Sequence, residues 1–536
     1  MQLRKLIYPA FIIFSLIVFW NTKDYGFVTD YLGWLIRYKE GGWKDILNCF
    51  GYPGLHQFFH LINFCLYKIT DANIQAMGII FICTHATVGY VSYRVFRLLL
   101  EQFDLEKSGI IALLAGVITT LSPYCVETIT WDACYHYMLC TGLTLLSLKY
   151  LIDWQRTPRA GLLLAHLLLF VLALLTIELA LVAPGIFVIY STTIGLHYSS
   201  TKATVKRSLL LIAIYLITIA LYFILTKLTI GAWIGHYGAA QHLVFTPTLI
   251  LGTMVKYLVK FSFWTHFWPF NPRQWVYGLF NNILIILPII LGITGLVIYQ
   301  LRSNNKSKWL MAGSLICFAI ALLPVLNLFF ITVVPYENDR YSYYAAPYFY
   351  LFLTLGLSSL IKNNWALPVL VFLAINCLFL RDMIGTARMA GNISNGLTKS
   401  FRWENEENVV LLCVPENLKG AYLFRDYSTN GITMRESLEW IGKKDFKGTF
   451  TNISQFNLTS DRDSVTVQAL GPNKLQVNIA SWGTWFWYKG NGLSAYETDD
   501  FKITPGELNF QLEIKDTTKQ RTYLYTVGDQ WRAIVM

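Results

Sequence analysis

Two acidic residues near the N-terminus, Asp24 and Asp30, are the first side chains whose type and position could do chemistry. Both stand in KDYGFVTDYLGWLIRYKEGG, directly beyond the first apolar segment of the chain. If that segment lies in a membrane, a carboxylate at its end costs free energy unless it is solvated or used, and it can take a proton from a hydroxyl group. Solvation in a loop explains both positions equally well, so spacing alone leaves two interpretations open.

Single histidines form the next group of candidates. They are His56, His60, His136, His236 and His266, and isolated histidines are more often hydrogen-bonded loop residues than metal ligands. The sequence contains no H-E-x-x-H motif, nucleophile elbow or glycine-rich phosphate loop, so hydrolase and nucleotide-driven chemistry lack motif support. We therefore predict no metal site and no cofactor, while the use of a divalent cation is left open.

The composition of the 536-residue chain indicates an integral membrane protein. Hydrophobic residues make up 55% and charged residues only 14%, whereas a soluble domain carries roughly 25% charged residues. Apolar stretches recur, and one of about 20 residues can cross roughly 30 Å of hydrocarbon as a helix. The net charge of +11 is divided among short clusters between these stretches, which favours membrane orientation over a nucleic acid partner.

Run length and flanking charge predict eleven membrane-spanning helices, with the lipid bilayer as their surroundings. The predicted spans are 6–20, 74–99, 109–122, 137–153, 160–176, 179–197, 207–229, 281–301, 308–334, 344–361 and 365–380. No small-residue cleavage site follows the first span, so we interpret it as an uncleaved helix. An interfacial or re-entrant helix is predicted for each of two less apolar segments, 54–68 and 246–264.

The lysine and arginine positions orient these helices. By the positive-inside rule, the N-terminus and alternate short connections are cytoplasmic, because they hold Arg4, Lys5, Arg94, Arg97, Lys107, Lys149, Arg156, Arg159, Lys202, Lys206, Arg207, Arg302, Lys306, Lys308 and Lys362. The opposite connections hold the carboxylates Asp24, Asp30, Glu127, Asp132, Glu337 and Asp339. With eleven spans, everything after residue 381 is predicted to lie outside the cytoplasm.

From about Phe401 the pattern changes to that of a soluble, β-rich domain. Charged residues return, and alternating segments such as SVTVQAL, KLQVNIA and NFQLEI are separated by Gly, Pro, Asn and Asp, which is typical of strands. One helix is predicted near 434–442. The predicted fold class is a mainly α integral membrane protein with a C-terminal extracytoplasmic β-rich α+β domain, divided into residues 1–390 and 400–536.

Six short motifs occur in an order that resembles a known membrane family. They are GFVTDYLGW, GYPGLHQFFHLINFCLYKI, THATVGYVSYRVFRLL, SPYCVETITWDACYHYMLCTGLTLL, LTIELALVAP and ENDRYSYYAAPY. Together they resemble the membrane half of the transmembrane O-mannosyltransferases that carry tetratricopeptide repeats, and their bacterial relatives, over about residues 6–380. Those proteins are GT-C-fold glycosyltransferases, which use a polyprenyl-phosphate sugar donor.

The resemblance implies roles for two acids. Asp30 matches the acidic position of the first outer loop, which implies a catalytic base that deprotonates an acceptor hydroxyl as it attacks the anomeric carbon. The family often carries paired acids there, but Thr29 precedes Asp30, and Asp24 is too distant to replace the missing acid by motif. Glu127 matches a glutamate four residues after a proline, and Pro123 stands at the matching place.

Other positions depart from the family pattern. Asp132 adds a nearby acid, but the arginine and aspartate that usually follow are replaced by Tyr135 and Tyr137. Glu178 matches the glutamate of a Leu-x-Lys-Glu element whose lysine is Ile177 here. These departures concern the acceptor and one phosphate contact. The predicted acceptor or supporting residues are Asp24, Glu127, Asp132, His56, Glu178 and Tyr343.

Three cations are predicted to bind the donor phosphate. Arg340, in ENDRYSYY, matches a family arginine. Its planar guanidinium presents paired N–H donors and remains protonated beside lipid. The alternative is an arginine that only reaches lipid headgroups. Tyr343 matches a following tyrosine, whereas the family proline is displaced to Pro347. Lys260 and Arg273 are further candidates, although interfacial anchoring by neighbouring aromatic residues explains their segment equally well.

The resemblance implies sugar transfer from a polyprenyl-phosphate donor to a glycan or protein acceptor, on the outer face of a bacterial inner membrane. Two alternatives belong to other classes. A lipid-linked sugar transporter should place charges near mid-membrane and contain internal repeats, and the sequence shows neither; a polymerase would still transfer sugar outside. A non-catalytic cell-envelope assembly protein would fit the missing family lysine and arginine positions.

Overall fold

The chain is described here from a computed structural model, which covers residues 2–26, 28, 30–198, 200–234, 246–302, 306–326, 338–360, 364–425, 432–479, 486–487, 490–491, 495–534 and 536. Its helices are α1 (Gln2–Phe19), α2 (Asp30–Glu40), α3 (Gln57–Thr70), α4 (Ile74–Glu101), α5 (Ser108–Thr120), α6 (Val126–Thr130), α7 (Tyr135–Arg156), α8 (Ala160–Leu174), α9 (Ala183–Tyr198), α10 (Thr201–Ile230), α11 (Pro247–Phe263), α12 (Phe270–Leu279), α13 (Ile283–Leu301), α14 (Lys306–Leu322), α15 (Arg340–Tyr343), α16 (Ala346–Leu360), α17 (Ala366–Ser400) and α18 (Ile432–Trp440).

The strands all follow α17. They are β1 (Asn408–Leu418), β2 (Ala421–Tyr422), β3 (Thr449–Asn452), β4 (Gln455–Leu458), β5 (Val465–Gly471), β6 (Lys474–Ile479), β7 (Phe486–Trp487), β8 (Gly490–Asn491), β9 (Tyr496–Glu497), β10 (Phe501–Pro505), β11 (Asn509–Ile514), β12 (Thr522–Val527) and β13 (Gln530–Ile534). The predicted fold class, a mainly helical membrane protein with C-terminal β-sheet structure, is therefore confirmed. The division at 390–400 into two domains stays a prediction.

The structure has a helix at each of the eleven predicted spans, but not all are long and apolar enough to cross a membrane alone. Among the described residues six qualify, namely Ile74–Glu101, Glu178–His197, Thr201–Ile230, Ile283–Leu301, Ser307–Val325 and Ala366–Ser400, and a bent pair at Ser108–Thr130 makes a seventh. Leu6–Thr22 and Ala160–Leu174 are shorter apolar helices. Several predicted spans were runs of 14–18 residues, short of the roughly 20 that a perpendicular crossing needs.

Close backbone contacts hold α4 against α5. A Cβ atom on Gly89 would lie 1.9 Å from the Thr120 hydroxyl, and one on Gly116 would lie 3.0 Å from the Gly89 carbonyl oxygen. Small residues at helix crossings allow this approach inside a membrane, where dispersion contacts replace the hydrophobic effect as the attraction between helices. The two helices thereby fix the position of the chain that follows α5, which carries Glu127.

Helix α17 joins the helical region to the strands. The prediction ended this span at 380, but the helix continues to Ser400, because buried small and apolar residues keep helical spacing along its polar half. On that half, Trp531 of β13 donates its indole N–H to the carbonyl of Leu397 at 3.0 Å. One contiguous buried core runs from Phe11 in α1 to Trp531, so strands and helices share their packing.

The strands form two main sheets. Strand β1 is almost wholly buried and pairs in parallel with β12, β3 and β4. The second sheet has the order β5-β6-β11-β10-β9 and antiparallel pairing. In β6 and β11 buried and half-buried residues alternate, as expected for strands with one face on a core. The predicted strand segments SVTVQAL, KLQVNIA and NFQLEI correspond to β5, β6 and β11, and the predicted helix near 434–442 corresponds to α18.

Candidate functional site

A break in the helix that follows α4 positions Glu127. Helix α5 ends at Thr120, and Ser122 is extended, with φ −65° and ψ 129°, because a residue before proline is disfavoured in helical conformation. Pro123 then begins a short 3₁₀ turn that leads into α6, and the two halves are bent by 50°. The bend turns Glu127 into the interior, where it is fully buried.

The carboxylate of Glu127 is held by Arg340 and by the backbone around it. It accepts the Arg340 Nη1–H at 2.5 Å, the Arg340 backbone N–H at 2.7 Å and the Asn338 backbone N–H at 3.3 Å. Asn338 has a left-handed φ of 66°, a conformation that asparagine adopts more readily than most residues. The resulting turn directs two N–H groups at one anion, as in other backbone anion sites.

Aromatic faces surround the Arg340 guanidinium. Its central carbon lies 4.8 Å from the ring centre of Trp131 and 4.5 Å from that of Tyr341, and Nη2 donates to the Tyr341 hydroxyl at 3.1 Å. Such stacking stabilises a guanidinium while keeping its edge available for hydrogen bonding. About 12% of the side chain is exposed, so Arg340 is not sealed completely from a ligand.

A second buried ion pair involves the neighbouring residue. The Lys260 ammonium in α11 donates to the Asp339 carboxylate at 2.7 Å, and His266 Nε2 lies 3.3 Å from the same oxygen. Both members of the pair are fully buried, so each charge depends on the other for stabilisation. Burial raises the pKa of Asp339 to about 7, although the nearby Lys260 ammonium lowers it.

The remaining predicted cation, Arg273, is linked to the second pair through His266. It is buried and donates from Nη1 to the backbone carbonyl of His266 at 2.8 Å. Burial, followed by the charges of Lys260 and Arg273, lowers the pKa of His266 well below its usual value. The segment 246–264, predicted as an interfacial or re-entrant helix, contains α11 with Lys260, while Arg273 lies on α12, and both cations are close to His266.

The helix that carries Asp30 packs against the segment after Glu127. Asp30 is the first residue of α2, which contacts the 3₁₀ turn Asp132–Cys134; the side chain of Asp30 lies outside the described part of the structure. Asp132 is buried, and burial raises its pKa well above the usual value. Since Trp131 touches both this turn and Arg340, the start of α2 lies on the same side of the molecule as the two ion pairs.

A separate acid–base pair connects two other predicted residues. His56 Nε2 and the Glu178 carboxylate are 3.0 Å apart, with side chains 5% and 23% exposed. The pair joins the turn before α3 to the 3₁₀ segment Glu178–Val182, across 122 residues of sequence. His56 also lies near the His136 ring, at 6.2 Å between centres, so it is linked to the start of α7.

Two predicted supporting residues have other surroundings. Tyr343 is buried, and its hydroxyl pairs with His85 Nδ1 at 2.7 Å, while His85 Nε2 donates to the Thr120 carbonyl at 2.9 Å. This chain of bonds satisfies the carbonyl freed where α5 ends, which is a packing role. Asp24 is about half exposed, pairs with Lys23 and accepts from Gln75 at 2.7 Å.

Strand β2 packs on Trp131, which stacks on Arg340. The Tyr422 ring lies edge-on to Trp131 at 4.7 Å, and the Arg425 guanidinium lies 5.0 Å from Tyr422. Tyr25 donates its hydroxyl to the Tyr422 carbonyl at 2.5 Å. Two aromatic rings in contact, Trp131 and Tyr422, therefore stand between the guanidinium groups of Arg340 and Arg425, and this contact ties the strands to the charged cluster.

Sequence reasoning found only part of this cluster. It named Glu127, Arg340 and Lys260 but gave Asp339 no role, although an acid directly before a candidate arginine was a visible signal. It also missed Trp131. This residue is four positions after Glu127, and nothing in that spacing predicts stacking on an arginine. Among the described residues, no group of three or more His, Cys, Asp or Glu side chains is placed to hold a metal ion.

The fold and the charged cluster define a multi-pass membrane protein with paired buried ions at one end of its helices. No protein-family model matches the sequence, and no curated protein matches it. Among solved structures, ArnT from Cupriavidus metallidurans in the apo state is similar to this chain, with a TM-score of 0.39 and 13% identity over 83% of this chain and 85% of that one. At this identity and TM-score the similarity assigns neither a reaction nor a substrate.

Proposed function

We propose that this protein transfers a sugar from a polyprenyl-phosphate donor to a glycan or protein acceptor on the outer face of a bacterial inner membrane. The observation that supports this most directly is the coupling of two buried ion pairs through neighbouring residues, Glu127 with Arg340 and Lys260 with Asp339. Charges in the interior of a membrane protein are costly and usually serve a ligand or an ion. A lipid-linked phosphate is an anion that reaches such a site from the bilayer.

Arg340 is suited to hold the donor phosphate. An arginine side chain has five N–H donors, and described protein atoms accept from two groups, Nη1 and Nη2. The remaining N–H groups can bind phosphate oxygens as a fork while Glu127 keeps the guanidinium oriented. Lys260 lies in the same cluster, and Arg273 stands behind His266, so both can add positive potential without leaving their present partners.

The expected reaction is a single displacement. The Asp30 carboxylate takes the proton of the acceptor hydroxyl, the oxygen forms a bond to the anomeric carbon, and the bond from that carbon to the phosphate oxygen breaks. The lipid phosphate leaves with the bonding electrons, stabilised by Arg340. One displacement inverts the anomeric configuration. Asp132, Glu178 and His56 remain candidates for acceptor or supporting roles in this reaction, whereas Tyr343 packs against His85 and Asp24 pairs with Lys23 in its loop.

A comparison of variants tests the proposal. A strain lacking the protein is complemented with wild type, Asp30→Asn or Glu40→Gln, and its envelope glycans and glycoproteins are measured by mass spectrometry. Glu40 is an exposed acid at the other end of α2, so its replacement controls for loss of charge on that helix. We expect wild type and Glu40→Gln to restore a glycan that Asp30→Asn does not. Equal amounts of each variant in the membrane are confirmed by immunoblotting.

A non-catalytic assembly protein is the second candidate. The observation in its favour is that Arg340 and Lys260 each already have a carboxylate partner, which a purely architectural role would require. In that case Asp30→Asn would restore the glycan as fully as wild type does. A glycan that is lost on deletion and restored by Asp30→Asn would therefore overturn the enzyme proposal and favour this one.

A further inference from the structure

A cavity outside the charged cluster lies where α17 leaves its apolar half. Its volume is about 370 Å³, and its lining includes Leu378, Arg381, Asp382 and Met389 of α17 together with Lys419 from the turn between β1 and β2. None of these residues belongs to the site described above. The cavity therefore combines an apolar wall with two cations and one acid.

The wall of the cavity continues an exposed apolar stripe on α17. Leu367, Leu370, Val371 and Leu378 are 63%, 49%, 51% and 67% exposed, and their spacing of three, four and seven residues places them on one helical face. Arg381, the first charged residue after the uncharged run 366–380, extends this face. An acyl chain along the stripe would thus lead directly into the cavity.

The dimensions match those of a lipid headgroup region. Thr386, another lining residue, stands five positions after Arg381, which is a rise of about 7.5 Å at 1.5 Å per residue. The headgroup layer on each side of a bilayer is roughly 5–7 Å thick. The stretch of α17 that lines the cavity is therefore about as long as the headgroup layer is thick.

The charged side chains of the cavity are open to a ligand. Among the residues that the structure describes, Arg381, Asp382 and Lys419 have no ion pair or side-chain hydrogen bond. Lys419 has a left-handed φ of 50° and donates its backbone N–H to the Leu458 carbonyl at 3.0 Å, while Asn417 accepts the Gly420 N–H at 2.8 Å. These bonds hold the turn, so the position of Lys419 over α17 is fixed by the strands.

We propose that this cavity binds the headgroup of a membrane phospholipid that carries both a phosphate diester and a primary amine. Arg381 and Lys419 bind the phosphate oxygens, and Asp382 accepts hydrogen bonds from the ammonium group. The lipid belongs to the leaflet on the side of the C-terminal strands, and its acyl chain packs on the α17 stripe. The bound lipid would join α17 to the β1–β2 turn at the membrane surface.

Native mass spectrometry of the full-length protein in detergent tests this assignment. Phosphatidylethanolamine, phosphatidylglycerol and phosphatidylcholine are titrated separately, and the bound lipid is counted. We expect wild type to bind phosphatidylethanolamine best. Arg381→Gln with Lys419→Gln should weaken binding of every lipid about tenfold or more, because charge-assisted hydrogen bonds are lost. Asp382→Asn should remove the preference for the amine-bearing lipid over phosphatidylglycerol.

Two further variants keep the test decisive. Arg388→Gln removes an exposed cation from the same helix outside the cavity and should leave binding unchanged. Gly385→Phe should fill the cavity without altering any charge, because a Cβ atom there meets nothing within 4 Å, and it should also abolish binding. Equal loss in Arg388→Gln, retention in Gly385→Phe, or the same saturation by inorganic phosphate without lipid would each overturn the proposal.

Discussion

The two ends of the helical region carry the same kinds of charged residues in opposite settings. At one end, the Glu127–Arg340 and Lys260–Asp339 pairs are almost entirely removed from solvent. At the other, Arg97 pairs with Glu101 and Lys149 with Asp153, with side chains 16–45% exposed. Since removing ions from water costs several kcal/mol each, only the first end carries charges whose presence folding alone does not explain.

The exposed pairs illustrate the ordinary use of charge. Each joins residues four apart on one helix, and together they border a polar cavity of about 270 Å³ between α4 and α7. Solvent screens such pairs, so their contribution to stability is small. The buried pairs instead join segments more than 75 residues apart, and breaking one leaves a charge without solvent or partner.

The largest expected effect is from Glu127→Gln. The substitution removes the negative charge but keeps the size of the side chain. The Arg340 guanidinium then stays buried without its carboxylate partner, and the backbone N–H groups of Asn338 and Arg340 face a neutral amide. Breaking a buried pair in this way costs about 3–5 kcal/mol. Thermal unfolding of the purified protein in detergent measures the loss. An unfolding midpoint equal to that of wild type would show that Arg340 reaches solvent and that the two ends do not differ.

The second prediction concerns the pH dependence of stability. The pKa of Asp339 is about 7 in the folded protein, above its usual value near 4, so the folded state binds more protons between these values. By linkage this contribution to stability is full below pH 4 and is lost as pH rises to 7. The pKa of His266 is lowered, so its contribution is present above about pH 6.5 and is lost as pH falls.

Single variants separate these opposing contributions. In Asp339→Asn the His266 contribution remains, and the unfolding midpoint should rise more steeply with pH between 5 and 6.5 than in wild type. In His266→Gln the Asp339 contribution remains, and the midpoint should fall as pH rises from 4 to 7. Unfolding is measured across pH 4–8 in one detergent. Parallel pH profiles for wild type and both variants would contradict the assigned shifts.

A third and smaller effect is expected from Tyr25→Phe. This change removes the hydrogen bond to the Tyr422 carbonyl and leaves the aromatic packing, at a cost of about 1 kcal/mol. Because Tyr422 covers Trp131, which stacks on Arg340, we also expect more rapid proteolysis of the C-terminal strands. Tyr8→Phe, which removes an exposed hydroxyl contact with Thr87, serves as the control and should change neither measurement.

The sequence predicted the helices well because membrane segments leave a strong apolar signal. The structure has a helix at every predicted span and at both predicted interfacial segments. The last predicted span, however, ended at 380, twenty residues before the end of α17. The second half of α17 is polar overall, and its buried face includes Met383, Ala387, Ala390, Ser394 and Leu397. Their three- and four-residue spacing was the available signal, but hydropathy averages conceal it.

The candidate site was predictable in its residues more than in its connections. Arg340, Glu127 and Lys260 were each identified, but their mutual pairing depends on contacts across 79 and 213 residues, which a single sequence does not reveal. The same limit applies to Tyr422, because nothing in the β1–β2 region indicates contact with Trp131. Long-range partners of this kind require the folded structure, whereas the chemistry of each side chain does not.

The smallest expected effect is from Glu101→Gln at the exposed end. The substitution removes the pairing of Glu101 with Arg97 across one helical turn, and such pairs contribute about 0.3–0.5 kcal/mol. The unfolding midpoint should therefore shift by a small fraction of the Glu127→Gln effect, and 0.5 M NaCl should abolish the difference because salt screens exposed charges. The Glu127→Gln loss should persist in the same salt, since salt screens buried pairs much less than exposed ones. A comparable loss from Glu101→Gln, or one insensitive to salt, would show that exposure does not separate the two ends of the helices.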